Sequence, residues 1–138
     1  LAAWQRPRQR CRQRRSFTYV TDGIDALMRA IRNENGTAEN RIFNVGNPAN
    51  DLSVRELAEL MIEILCSFPG YGDRSRYRLE EVSSGDYYGP DYQDMGTRVP
   101  DIAAAREQLG WTPKVGMREA LERTIGFYVN KRAAGMGV

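Results

Sequence analysis

The stretch YYGPDYQDMGTRVPDIAAAREQLGWTPKVGMREALERTIGFY, residues 87–128, decides how this chain reads. It passes from a polar, tyrosine-rich loop without periodicity into two segments of helical character, and Arg98 stands just ahead of them. Pro100 and Asp101 sit where a helix begins, and Gly110 where one stops in a left-handed cap. Trp111 and Pro113 fix the turn into a last helix over 117–131, on which Leu121, Thr124, Ile125 and Tyr128 share a face. The polar loop over 83–99 is long for a connection inside a compact domain, and loops of that length are more often functional or disordered than mere links.

Working back toward the N-terminus, Ser16-Phe17-Thr18-Tyr19-Val20 is aromatic and β-branched and predicts a short strand. Helical spacing follows at once, with Ile24, Leu27, Met28 and Ile31 at i, i+3, i+4 and i+7 and Asp22 as the N-terminal cap. The asparagine-rich stretch 33–40, with Gly36, ends that helix. Arg41-Ile42-Phe43-Asn44-Val45 reads as a second strand, stopped by Gly46-Asn47-Pro48. Ser53-Val54-Arg55-Glu56 is a capping box, with Leu52 placed to staple against Leu57. The helix it opens, to about residue 66 by pattern, carries Val54, Leu57, Met61, Ile64 and Leu65 as one stripe expected to be buried in the core. Residues 68–72 break the chain, and the alternation over 77–82 predicts a third strand.

The net charge of +2 conceals an asymmetry. Arg6, Arg8, Arg10, Arg12, Arg14 and Arg15 are unaccompanied by any acid, and the +2 less these six leaves −4 for the rest of the chain. Such an arm is an electrostatic footprint for nucleic acid or an acidic partner. A solvated, disordered arm or a vector-derived start accounts for it better, and nucleic acid is not the expected partner. With no histidine and with Cys11 and Cys66 far apart, the usual zinc sets and histidine-based triads cannot be assembled from this chain. No apolar run reaches the eighteen or so residues of a membrane span. The expectation is a cytoplasmic protein with no membrane partner, and the leading Leu1 in place of methionine suggests a partial chain.

The order Pro100-Asp101-Ile102, Ala105-Arg106, Leu109-Gly110-Trp111, Pro113, Ala120-Leu121 and Thr124-Ile125 resembles the C-terminal end of extended short-chain dehydrogenase/reductases that act on nucleotide sugars. Tyr87-Tyr88-Gly89, Tyr92-Gln93-Asp94 and Arg98-Val99-Pro100 narrow the resemblance to the UDP-glucuronic acid oxidative decarboxylases of the 4-amino-4-deoxy-L-arabinose pathway of lipid A modification and polymyxin resistance. It covers 13–132 and only about the last third of such a domain. It implies an α/β fold, the substrate-binding C-terminal portion of an extended Rossmann-type enzyme, mostly helices with a few short strands and without the dinucleotide-binding half. Residues 1–12 are then a basic arm, 13–132 the substrate-binding part and 133–138 a flexible tail.

The resemblance also implies roles. Arg98 matches an arginine at the sugar carboxylate that is regarded as the proton donor after carbon dioxide leaves, Tyr92 a tyrosine against the substrate, and Arg15 an arginine on the nucleotide diphosphate. The chemistry of Arg98 favours a different emphasis. A guanidinium offers a planar fork for carboxylate or phosphate, but it holds its proton too tightly to be a good acid. Holding the carboxylate and stabilising a developing enolate is the easier role. For Arg98 the competing assignment is an anchor to Asp94, and for Tyr87, Tyr88 and Tyr92 it is packing of the loop onto the body. Arg14 beside Arg15 leaves the diphosphate assignment open between them. Asp22, Asn44 and Asn47 read as caps and turn formers rather than ligand contacts.

NAD is the implied cofactor, accepting a hydride from C4 of the sugar, yet the sequence holds no glycine-rich fingerprint opening a βαβ unit and no Tyr-x-x-x-Lys pair. NAD is therefore expected on the missing half, and the chain alone is expected to be inactive. A UDP-sugar and, for the parent enzyme, a homo-oligomer are the implied partners. A nucleotide-sugar epimerase or 4,6-dehydratase shares the same ending, and a non-enzymatic module binding through its basic arm is the reading from another class.

Overall fold

In a computed structural model that describes residues 13–80 and 97–135 of the chain, the chain path is set by where apolar side chains find cover. The described residues form a three-stranded sheet, with β1 (Arg14–Ser16), β2 (Asp51–Ser53) and β3 (Thr97–Arg98), and four α-helices. The helices are α1 (Val20–Arg32), α2 (Val54–Cys66), α3 (Ala103–Leu109) and α4 (Met117–Ala133). The basic arm 1–12, the loop residues 83–96 with Tyr87, Tyr88, Tyr92 and Asp94, and residues 136–138 lie outside the described residues.

β1 is the middle strand, antiparallel to β2 and parallel to β3. The predicted strand over 16–20 thus lies two residues earlier, because Val20 is taken into the first turn of α1. Two other predicted strands are corrected. Residues 41–45 form no strand, and Ile42 is 93% exposed. Residues 77–80 follow a 3₁₀ turn at Arg74–Arg76 without pairing, and 81–82 lie outside the described residues. A strand is made by its neighbour's ladder, and β-type sequence alone does not supply one.

Some helix ends follow their local chemistry and others do not. The capping box at Ser53 is present in full: Ser53 Oγ accepts from Glu56 N at 3.2 Å and Glu56 Oε2 accepts from Ser53 N at 2.7 Å. α1 stops at Asn33, left-handed at φ 46°, and the turns beyond it place Asn35, Gly36 and Asn40 in the same region, where asparagine and glycine are tolerated. α3 begins at Ala103 rather than at Pro100 or Asp101, with Asp101 Oδ1 accepting from Ala103 N at 2.9 Å, and Gly110 closes it at φ 59°.

Asp22 is not the N-cap of α1. Tyr19 holds that position, and Asp22 lies inside the first turn, buried at 5% exposure. Its Oδ2 accepts from Lys114 N and Val115 N, both at 3.0 Å, while its carbonyl accepts from Trp111 Nε1 at 3.0 Å. The carboxylate therefore meets the backbone of the turn before α4, whose N–H groups would otherwise be unpaired.

Trp111, with no exposed surface, centres the core with Ala26, Ile102 and Ala105, and Phe43 and Leu109 pack against it. α2 packs on α4, where Ile64, Ala120 and Leu121 are buried and Arg118 reaches Glu63 at 2.7 Å. The predicted α2 stripe is only partly covered, since Val54 and Met61 are exposed. On α1 the apolar side chains of Val20, Ile24, Leu27, Met28 and Ile31 are all exposed, Ile31 at 73%. Gly46 permits the chain to pass close to Pro100, because a methyl there would overlap the proline ring.

Candidate functional site

β1 reads Arg14-Arg15-Ser16, and alternation puts Arg14 and Ser16 on one face of the sheet and Arg15 on the other. Arg14 is engaged by acids. Its Nε meets Asp51 Oδ2 at 2.8 Å, its NH2 donates to the Asp51 carbonyl at 2.7 Å, and its NH1 meets Glu56 Oε2 at 3.2 Å. The Asp51 hydrogen bond is the chief reason the guanidinium is held above its usual pKa. Glu56 is pushed below the ordinary carboxylate range, first by the Ser53 N–H and Ser53 hydroxyl, then by the Arg14 charge.

On the other face, parallel pairing sets Arg15 directly opposite Arg98. Two sequence-predicted site residues, remote in the chain, are thereby cross-strand neighbours. Arg15 NH1 donates to the Arg14 carbonyl at 2.8 Å, while Arg98 is exposed. Guanidinium groups at two opposed positions of one sheet face are the donor type that binds phosphate and carboxylate. Tyr92 and Asp94 lie outside the described residues.

Asparagines hold this sheet from behind. Asn47 Nδ2 and Asn50 Nδ2 donate to the Val115 carbonyl at 3.1 and 3.0 Å, and Ser16 Oγ donates to the Asn47 carbonyl at 2.7 Å. Asn47 Oδ1 also accepts from Ala49 N at 3.1 Å, forming the expected turn. With Asp22 on the Val115 N–H, a buried polar relay runs from β1 to the turn before α4. Sequence reasoning missed Asn50 altogether; an asparagine after Asn47-Pro48 carries only a turn signal.

A cleft of about 410 Å³ lies elsewhere, lined by Asp25, Arg29, Arg32, Glu34 and Gln108 among others. Arg29 is committed there to the Leu109 and Gly110 carbonyls, both at 3.0 Å, and caps the C-terminus of α3. No metal-ligating cluster occurs among the described residues, and no described helix is long and apolar enough to cross a membrane.

No family model matches the sequence. Among solved structures the chain is similar to the PbgP3 protein of Burkholderia pseudomallei, at 40% identity and a TM-score of 0.74 over 90% of this chain. The match covers 34% of that protein's chain, so this chain spans about a third of its length. The mixed α/β fold expected from the sequence, mostly helical with short strands and matching the C-terminal portion of an extended Rossmann-type enzyme, is the fold found.

Proposed function

We propose that this chain is the UDP-sugar-binding part of an NAD-dependent UDP-glucuronic acid decarboxylase of the lipid A modification type, a cytoplasmic enzyme and a homo-oligomer. The observation that carries the reading is the cross-strand pairing of Arg15 with Arg98. One ligand with two neighbouring anionic groups, a diphosphate and a sugar carboxylate, suits that pair. Arg15 takes the diphosphate, Arg98 the carboxylate, and Tyr92 the substrate oxygens.

The described residues offer no glycine-rich strand-to-helix turn for a dinucleotide, so NAD is assigned to a partner half and not to this chain. The exposed α1 stripe and the unpaired segment 41–45 form the surface proposed to receive that half, consistent with a solved relative about three times as long. Once the sugar carries a keto group β to its carboxylate, the C–C bond breaks, carbon dioxide leaves, and the electron pair moves onto the keto oxygen as an enolate. Arg98 holds the carboxylate in place before that step and offsets the enolate charge after it.

Isothermal titration of the chain with UDP and UDP-glucuronic acid tests the reading. Saturable binding that Arg98→Ala and Arg15→Ala each weaken, with UDP-glucuronic acid losing more than UDP in Arg98→Ala, is the expected result. Equal losses for both ligands in Arg98→Ala would remove the carboxylate assignment. No binding by the folded chain would overturn a half-site here.

A further inference from the structure

We propose that Arg14 is a positioning residue that decides which of two consecutive arginines faces Arg98; the proposal rests on the reading above. β1 is three residues long and β3 two, so the ladder between them is short. A slip of one residue moves every side chain of a strand to the opposite face. For Arg14-Arg15 such a slip exchanges one arginine for another, and neither hydropathy nor charge of β1 itself distinguishes the two registers.

The far face makes the distinction. Asp51 lies opposite Ser16 on β2, diagonal to Arg14, and takes both its Nε–H and, through the backbone carbonyl, its NH2. Glu56 receives NH1 while also accepting from Ser53 N, so the group that starts α2 helps fix the register of β1. Among the described residues Asp51 Oδ1 is buried without a hydrogen-bond partner, which leaves Arg14 as the main compensation for that carboxylate. Two acids therefore select Arg14 for their own side and leave Arg15 on the face of Arg98.

The test titrates the 138-residue chain with UDP and with inorganic pyrophosphate, comparing Arg14→Met, Arg14→Lys, Asp51→Asn, Arg98→Ala and the Arg14→Met/Arg98→Ala double variant. The expected result is a loss of about tenfold in UDP affinity for Arg14→Met, since a charge-assisted contact is lost when Arg15 leaves its place. Arg14→Lys, which keeps the charge toward both acids, should restore affinity to within about threefold. In the Arg98→Ala background the Arg14→Met loss should shrink to about twofold or less, as residues acting through one site do not add. A purely structural role gives equal losses in both backgrounds and overturns the proposal. Wild-type affinity in Arg14→Met with loss in Arg98→Ala overturns the positioning role and leaves the half-site standing; absence of binding in the wild type overturns both. Should Arg14→Met fail to fold, Asp51→Asn carries the same test: an unchanged affinity there overturns the proposal, and a loss that vanishes in the Arg98→Ala background supports it.

Discussion

The two faces of α1 invert what their side chains advertise. One face buries Ala26 and the charged Asp22 against Trp111, Ile102 and Ala105. The other carries Val20, Ile24, Leu27, Met28 and Ile31 and is exposed along its length. An apolar stripe at helical spacing ordinarily turns to a core, so burial here follows from which surface the chain has available, not from hydropathy alone. The buried face is held by one tryptophan and one carboxylate reaching across the fold; the exposed face has the composition of a covered surface and, among the described residues, no cover.

The largest effects are expected on the packed side of α1. Trp111→Ala should cost about 3–5 kcal/mol, and urea unfolding should lose its cooperative transition or shift far to low denaturant. A small shift would mean that the Trp111 cluster is not the centre of stability. Next comes Asp22→Ala, which strands the Lys114 and Val115 N–H groups and should cost about 2–4 kcal/mol. Asp22→Asn, retaining one acceptor oxygen, should cost less, and the order of the three thermal midpoints checks the assignment. Gly46→Ala forces a methyl against Pro100 and should cost about 1–3 kcal/mol unless the segment moves.

At the exposed face the expectation reverses. Leu27→Gln and Ile31→Lys should change unfolding free energy by no more than about 0.5 kcal/mol, because they remove no packed contact. They should instead reduce self-association, read by light scattering against concentration. A large destabilisation would show that α1 buries its apolar stripe in solution. Smallest is the effect of acid at the capping box. Glu56 titrates below its unfolded value, so its contribution is present above the ordinary carboxylate range and is lost as pH falls through the lowered folded value. Carboxyl NMR shifts should give a Glu56 midpoint below that range, and Glu56→Gln, which keeps the cap geometry, should flatten the corresponding pH dependence of melting.

Local chemistry was legible wherever a few neighbouring residues suffice. Ser53 and Glu56 announce their cap, Gly110 its left-handed stop, and Asn33 to Asn40 a series of turns. Arg98 and Arg15 were legible as charged groups fit for anions, but nothing in their spacing says that they stand side by side. That is a property of β3 joining β1 in parallel, a long-range pairing with no local mark. The strand predicted over 41–45, and the described part, 77–80, of the one predicted over 77–82, failed for the complementary reason: their residues suit a sheet, and no described strand lies beside them to complete one.

The sequence alone was enough for the capping box of α2, the glycine stop of α3 and the asparagine turns, because hydrogen bonds to backbone groups a few positions away depend mainly on local residue type, and for Arg15 and Arg98 as charged candidates. Tertiary structure alone decided that Asp22 clamps a distant turn, that Arg14 answers to Asp51 while Arg15 lies opposite Arg98 in the ladder, and that the apolar face of α1 is exposed among the described residues. Each depends on which segments come to lie together, and that choice is made by the competition of all surfaces for burial.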